Sequence, residues 1–532
     1  MSLPYSRATT PSDQPTLPVL LELVSALVND DPLTVSTRLR DAYGYQVRIP
    51  PLHPALDSEV YLLSHPDDVQ FVLQSHPSKF RALDVPGSRD FGRVITNSIV
   101  SLSEHSEEGS WVERLRLVHP EFAERAIEAH VPELAETTLA TLAEFTQGPE
   151  RLVAADAANV PEGAQVWTPG VDGVNLLPAM RRLTLRQLGV SLFGTDMRAH
   201  EVEIIDAVDT LRRQFKRRQL RIVTSYVTRY LPAELHLPGW LQGPLGADPY
   251  VELGNRHERR TDAAIETLVA AADAVVARRE QTPLVFDDAL AAWLRRRDPV
   301  TGERLSPDVL RQEVLGLLIA GHATTSAALT WAFYLLAAHP EVQERIHEEA
   351  RATTLLADYE TVRGWDDDEG TPDDVDGRTF LDSLPYTRQV WQETLRLYPA
   401  LPIFGRTVNE TVTVGDVTLD EGTHVLLSPF ITHRDEEFWD DPETFDPDRF
   451  WPERHARRPA FAYFPFSGGR HACLGESIAT TEALVVLATT LATHRIEFVG
   501  TDGPHESPEV GVDSAINLQP DRDIAVRFVP RG

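Results

Sequence analysis

Apolar residues recur along most of the chain at the three-to-four-residue spacing of helices buried on one face, while two short stretches near the start alternate as strands do. The pattern predicts a short helix from Pro32 to Tyr43, ended by Gly44, then paired strands at Tyr45–Pro50 and Val60–Ser64. His65-Pro66-Asp67 opens another short helix to Ser75, and further helices are expected from Trp111, over 131–146, 175–194, Ala199–Val223, 255–280 and 286–297. One element stands apart. Ser306 is an N-cap, Pro307 fits the first helical position and Asp308 the first turn, and the helix should run to Ala338, where His339-Pro340 stops it. It is apolar on nearly every face, which marks a buried helix. A second apolar run extends from Leu474 to Leu491.

Between these elements, residues 81–105 read as irregular, Tyr230–Tyr250 as a mobile lid segment, and 1–31 as a flexible N-terminal segment. Two insertions are expected, one near 148–173 punctuated by Gly and Pro, one near 356–378 carrying the acidic run Asp366 to Glu369. The helix through Arg212, Arg213, Lys216, Arg217, Arg218 and Arg221 holds a basic cluster, readable as a solvated face or as a contact for a membrane surface or a substrate carboxylate.

Composition narrows the function classes. A formal charge of -31 over 532 residues excludes nucleic acid as a partner, since that needs a basic face. Lysine occurs only at Lys79 and Lys216, so the surface is carboxylate and arginine, which suits a salt-rich cytoplasm or reflects a GC-rich genome. A single cysteine rules out an internal disulfide and fits a reducing cytosol. The run Leu17–Val28 contains Glu22, is too short to span a bilayer, and follows no charged region, so a soluble cytoplasmic protein without a transmembrane segment is expected.

That cysteine, Cys473, sits in Phe466-Ser467-Gly468-Gly469-Arg470-His471-Ala472-Cys473-Leu474-Gly475. A thiolate opening a helix has its pKa lowered by unpaired N–H groups, and a soft anionic sulfur suits iron, including haem iron. The alternative is a buried structural cysteine. Phe466 can keep water off the sulfur, Gly468 and Gly469 permit a tight turn that aims amides at it, and Gly475 lets a flat ligand lie close.

This loop resembles the cytochrome P450 family, whose cysteine segment reads F-x-x-G-x-[RH]-x-C-x-G, and every defined position matches. The resemblance implies a mainly α fold with a small β-region, a single haem domain over 32–532, and haem b held by Cys473 as the iron ligand. It places His471 on a haem propionate, with Phe466, Gly469 and Gly475 around the cofactor. W-x-x-x-R is matched by Trp111, also a propionate contact, but Leu115 replaces the arginine, leaving Arg116, or Arg114, to substitute. Arg406 occupies a further propionate position, with Ile403 and Phe404 in the substrate pocket. Ala320-Gly321-His322-Ala323-Thr324-Thr325 matches [AG]-G-x-[DE]-T-[TS], so Ala320 and Gly321 lie over the haem and Thr324 helps deliver protons to oxygen. The acid of that pair is absent, Ala323 standing in its place, so protons must come through water, His322 or another donor. Back-bonding to a carbonyl is the other reading of the threonines. Glu393, Arg396 and Arg449 correspond to a buried ion triad.

The implied activity is insertion of one oxygen atom from O2 into a lipophilic small molecule. Electrons are expected from a separate ferredoxin- or flavodoxin-type protein, for which Arg454, Arg457, Arg458 and Arg470 offer a dock. The alternatives are a peroxide-driven oxygenase or haem-thiolate isomerase, both compatible with Ala323, and a non-enzymatic haem-binding or gas-sensing protein.

Overall fold

The computed structural model describes residues 32–49, 59–82, 98–100, 111–146, 173–230, 254–281, 288–297, 302–353, 377–501, 503 and 505–531. Their helices of seven residues or more are α1 (Pro32–Tyr43), α2 (Trp111–Val118), α3 (Val131–Thr146), α4 (Leu176–Phe193), α5 (Glu201–Tyr230), α6 (Gly254–Gln281), α7 (Ala289–Arg295), α8 (Pro307–Ala338), α9 (Pro340–Arg351), α10 (Pro385–Leu397) and α11 (Glu476–Thr493). The strands are β1 (Gln46–Ile49), β2 (Val60–Leu63), β3 (Phe80–Ala82), β4 (Val174–Asn175), β5 (Phe404–Val408), β6 (Val412–Val414), β7 (Val417–Leu419), β8 (His424–Leu427), β9 (His494–Phe498), β10 (Val512–Asp513), β11 (Gln519–Pro520) and β12 (Ala525–Pro530).

The strands make a five-stranded sheet ordered β1-β2-β8-β5-β3, a three-stranded sheet β4-β12-β9, and two pairs, β6-β7 and β10-β11. In the larger sheet β1 and β2 run antiparallel, β2 and β8 parallel with Val60 opposite His424, and β5 antiparallel to β8. A mainly helical fold with a small β-region is what the sequence implied.

Two apolar clusters form the core around the helices. One joins α3, α4, α9, α10, the C-terminal half of α8 and most of α11. The other joins α2, α4, α5, α6, α7 and the N-terminal half of α8, from Leu310 to Ile319. Helix α8 therefore runs from one cluster into the next. Among the described residues it alone is long and apolar enough to cross a membrane, but it lies mostly inside the protein. Its partly exposed residues Ala320, Gly321, Ala323 and Thr324 fall at the junction of the clusters, between buried stretches on either side.

Local rules explain most boundaries. Ser306 Oγ accepts from Val309 N at 3.3 Å and Asp288 Oδ1 from Ala291 N at 2.8 Å, each capping the helix that follows. Gly194, at φ +55°, ends α4 in the left-handed region. Three expectations shift. The helix predicted from Pro66 to Ser75 is an α-turn, Pro66–Gln70, that widens into a π-turn, Phe71–Ser75. Helix α5 runs to Tyr230 rather than Val223. Helix α11 starts at Glu476, with Gly475 before it, so Cys473 precedes the helix instead of opening it.

The basic cluster of α5 faces inward in part. Arg212 and Lys216 pair with Asp513 at 2.7 and 3.3 Å, and Arg213 pairs with Asp209. These three side chains are used within the fold. The stretches expected as a flexible 1–31 segment and as a Tyr230–Tyr250 lid, nearly all of both expected insertions and most of 81–105 lie outside the described residues.

Candidate active site

The cysteine loop is built by backbone contacts that only its glycines allow. Gly469 has φ +66°, and a Cβ there would lie 1.8 Å from Leu73 O. At Gly468 a Cβ would meet the Phe461 ring at 2.5 Å. Cys473 N donates to Phe466 O at 2.9 Å, closing the loop, while the half-buried Phe466 packs on the larger core cluster. Cys473 itself has exposed surface. Even so, burial within the protein pushes its thiol pKa up, and Glu476 adds to the rise, whereas only the Gly475 amide opposes it. Cys473 is thus exposed at its surface yet crowded by the surrounding protein. The sequence expectation of a lowered pKa is corrected, because the thiol stands ahead of α11 and a carboxylate follows it. Beside it, a Cβ on Gly475 would have no neighbour closer than Sγ, at 4.0 Å, so the space there is open.

Leu474, next to the thiol, borders the same apolar cluster as Ala323 of α8. Thr324 Oγ1 donates to Ala320 O at 2.7 Å and Thr325 Oγ1 to Gly321 O at 2.9 Å, so both hydroxyls bond back along their own helix. Gly321 turns toward α4, where its Cβ would come within 2.9 Å of Leu188 Cδ1, so its small size serves helix packing. His322 is 1% exposed, its Nδ1 is bonded to Leu318 O, and burial lowers its pKa to about 4. It is neutral and sealed from water, so the expectation of a proton donor there is corrected. The Ala323 carbonyl accepts from Asn517 Nδ2 at 2.8 Å, a contact between residues far apart in sequence.

Aromatic and cationic side chains gather at the cysteine loop's His471 and Arg470. The Trp111 ring lies 4.7 Å from that of His471, and the Arg470 guanidinium 5.7 Å from Trp111. Arg406, on β5, is mostly buried and donates from Nη1 to Gly405 O at 2.9 Å. Burial lowers its pKa to about 10, with no carboxylate among the described residues to raise it. Such a cation calls for an anion. Of the two candidate replacements for the missing arginine, Arg116 is exposed, whereas Arg114 is buried against Glu313 of α8. Glu313 also accepts from Ile99 N at 3.1 Å and Ser98 Oγ at 3.2 Å, so it anchors part of the 81–105 segment. An acid on the apolar face of a buried helix was the signal for it in the sequence.

On α10, Arg396 Nε and Nη2 bind the two oxygens of Glu393 at 2.6 and 2.8 Å, and Arg449 Nε lies 3.4 Å from Glu393 Oε1. All three are buried. Arg396 donates further to His433 O at 2.9 Å and Pro442 O at 2.6 Å, tying the segment ahead of the cysteine loop to the helix.

A soft, exposed donor, open space beside it and a mostly buried cation without a carboxylate partner among the described residues suit a flat, acidic macrocycle carrying iron, so the residues present fit haem. The family profile described as cytochrome P450 matches residues 249–522, and the chain belongs to the cytochrome P450 family. It is 29% identical over 443 residues to a cyclooctat-9-en-7-ol 5-monooxygenase of Streptomyces melanosporofaciens, covering 82% of this chain and 80% of that one. It is 34% identical over 230 residues to human cytochrome P450 4V2, covering 43% of this chain and 40% of the relative. A bifunctional cytochrome P450/NADPH–P450 reductase 2 of Bacillus subtilis is 34% identical over 270 residues, 50% of this chain and 23% of that protein. The protein is a cytochrome P450 monooxygenase, an oxidoreductase of a haem-iron family that uses O2, lipophilic substrates and redox partners.

Proposed function

We propose that the protein hydroxylates a lipophilic small molecule in the cytoplasm, using haem b held by Cys473 and electrons from a separate ferredoxin- or flavodoxin-type protein. The observation that carries this is the chain's single thiol, exposed beside the open space at Gly475. When bound, the haem supplies oxygen activation and the electron chemistry. The chain supplies the rest. Cys473 gives the sulfur, which the loop fixes from Phe466 to Gly475. Arg406, Trp111 and His471 would meet the propionates, with Arg116 the remaining candidate. Phe466, Leu474 and the two apolar clusters exclude water. Thr324 holds a proton at Oγ1, directed at Ala320 O, and releases it by rotating about its side-chain bond. The exposed Arg454, Arg457 and Arg470 form the donor's docking face; Arg458 is instead engaged over Trp439 at 4.1 Å.

The test is the absorption of the ferrous protein under carbon monoxide. A red-shifted band that Cys473→Ser abolishes is expected, and its survival in the variant would remove Cys473 as ligand. A second reading, turnover driven by hydrogen peroxide, is favoured by one feature: neither Ala323 nor the neutral His322 offers a proton. Ala323→Glu separates the two. Under reductant it should raise product formed per electron, whereas a peroxide user should respond to neither this change nor Thr324→Ala.

A further inference from the structure

We propose that Asn517 is a positioning residue that holds the main-chain carbonyl of Ala323, the residue preceding Thr324, and ties this turn of α8 to the outer helix α5. A carbonyl only accepts, so the Ala323 oxygen fixes the Asn517 amide with its NH2 toward it, at 2.8 Å. That turns Asn517 Oδ1 to Gln519 Nε2, at 3.1 Å, and leaves Gln519 Oε1 for Arg181 Nη2, at 3.3 Å. Arg181, which only donates, also reaches Asp209 Oδ1 on α5 at 3.0 Å, and Asp209 holds Arg213 in turn. Asn517, Gln519, Arg181 and Asp209 are all buried, the most exposed at 8%. Every hydrogen bond from Arg181 to Ala323 O points the same way, so each donor polarises the next in a dry setting.

The chain of bonds is an ordering device rather than a proton path. Amides and a guanidinium neither gain nor lose protons near neutral pH. What they transmit is position. The same stretch is pinned twice more, Leu518 O accepting from Trp331 Nε1 of α8 at 2.9 Å and Asp513 pairing with Arg212 and Lys216 of α5. Displacement of α5 therefore pulls on β10 and β11, and through Asn517 on the carbonyl that precedes Thr324. The consequence for turnover rests on the monooxygenase reading; the mechanical link does not.

Hydrogen–deuterium exchange of the haem-loaded protein tests the link. Asn517→Asp keeps size and the Oδ acceptor but sets an oxygen against the Ala323 carbonyl. Exchange in the 318–328 peptide should rise about tenfold, the scale of one lost buried hydrogen bond. Asp209→Asn, at the far end, should raise exchange in the same peptide by a smaller factor, and the double variant should fall short of the product of the two. Product per electron should drop in Asn517→Asp while the carbon monoxide band persists. Faster exchange confined to 513–519 would overturn the role at α8, and independent effects of Asp209 and Asn517 would overturn the link to α5. If Asn517→Asp does not fold, Asn517→Ser gives the same readout with a shortened donor. If the enzyme proves to be peroxide-driven, the exchange results still decide the proposal, so the two readings fail separately.

Discussion

Glu393 on α10 and Glu313 on α8 are both wholly buried glutamates, and burial pushes both carboxyls up while arginines pull them back. Their surroundings differ. Glu393 meets two guanidiniums and the Asp446 amide, and those guanidiniums carry on into several backbone carbonyls. Glu313 meets one guanidinium, and its remaining bonds go to Ser98 and Ile99, in the stretch expected to cover the pocket. Gly316 completes that second arrangement, since a Cβ there would lie 2.1 Å from Ser98 Oγ. The first network is redundant and ties α10 to the segment ahead of the cysteine loop. The second is a single clasp on a covering segment. Equal burial thus serves permanence in one place and attachment in the other.

The sharpest way to break this contrast is Arg396→Ala. It leaves Glu393 buried with only the Asp446 amide and the longer Arg449 contact, which should cost about 3–5 kcal/mol and yield little folded, haem-loaded protein. A normal yield and melting profile would make the network dispensable. Glu313→Gln should cost less, about 3 kcal/mol, because the amide oxygen still accepts from Ile99 while Arg114 loses its counter-charge. Adding Arg114→Met should recover most of that loss; a double variant no better than the single would show that the charge pair is not what holds the segment.

Glu482 on α11 sharpens the comparison further: among the described residues its Oε1 has no hydrogen-bond partner, and burial, opposed only by a hydrogen bond with Ser191, raises its pKa to about 8. The folded state therefore holds this proton more tightly than the unfolded chain does. Its contribution is complete below about pH 4.5 and is lost as pH climbs to about 8, at up to about 1.4 kcal/mol per pH unit. Glu482→Gln should melt like the parent at pH 5 and above it at pH 8. A gap that stays constant across that window would refute the assignment. The smallest effect concerns salt. Molar potassium chloride should raise Tm by a few degrees by screening the formal charge of -31, while leaving the buried networks alone. A fall would mean that exposed ion pairs matter more than the overall repulsion.

Glu393 was legible in the sequence because its first partner is three residues away on one helix face, within reach of a local rule. The loop of Cys473 was legible for the same reason, its glycines and sulfur lying within ten residues. Glu313 and Asn517 were not, because their partners are separated by 199 and 194 residues and meet only when helices pack. His322 was misjudged for a geometric reason. Two residues along a helix turn a side chain about 200°, so a neighbour of Thr324 in sequence faces the opposite wall. The helix capped by Ser306 has the ends expected of it, whereas α5, which lacks a stop signal at Val223, continued seven residues further.

The parallel pairing of β2 with β8 carries a consequence for how the chain matures. Val60 and His424 leave the ribosome far apart in time, separated by about half a minute at a synthesis rate of roughly 10 residues per second. Until then β2 has β1 on one side only, and its other edge of N–H and C=O groups is open to wrong partners. No native neighbour for that edge exists earlier in the chain, since β3, although already made, joins the sheet only through β5. A nascent chain halted before residue 424 thus cannot close its larger sheet, and the late arrival of β8 is the event that commits the first strands to their place.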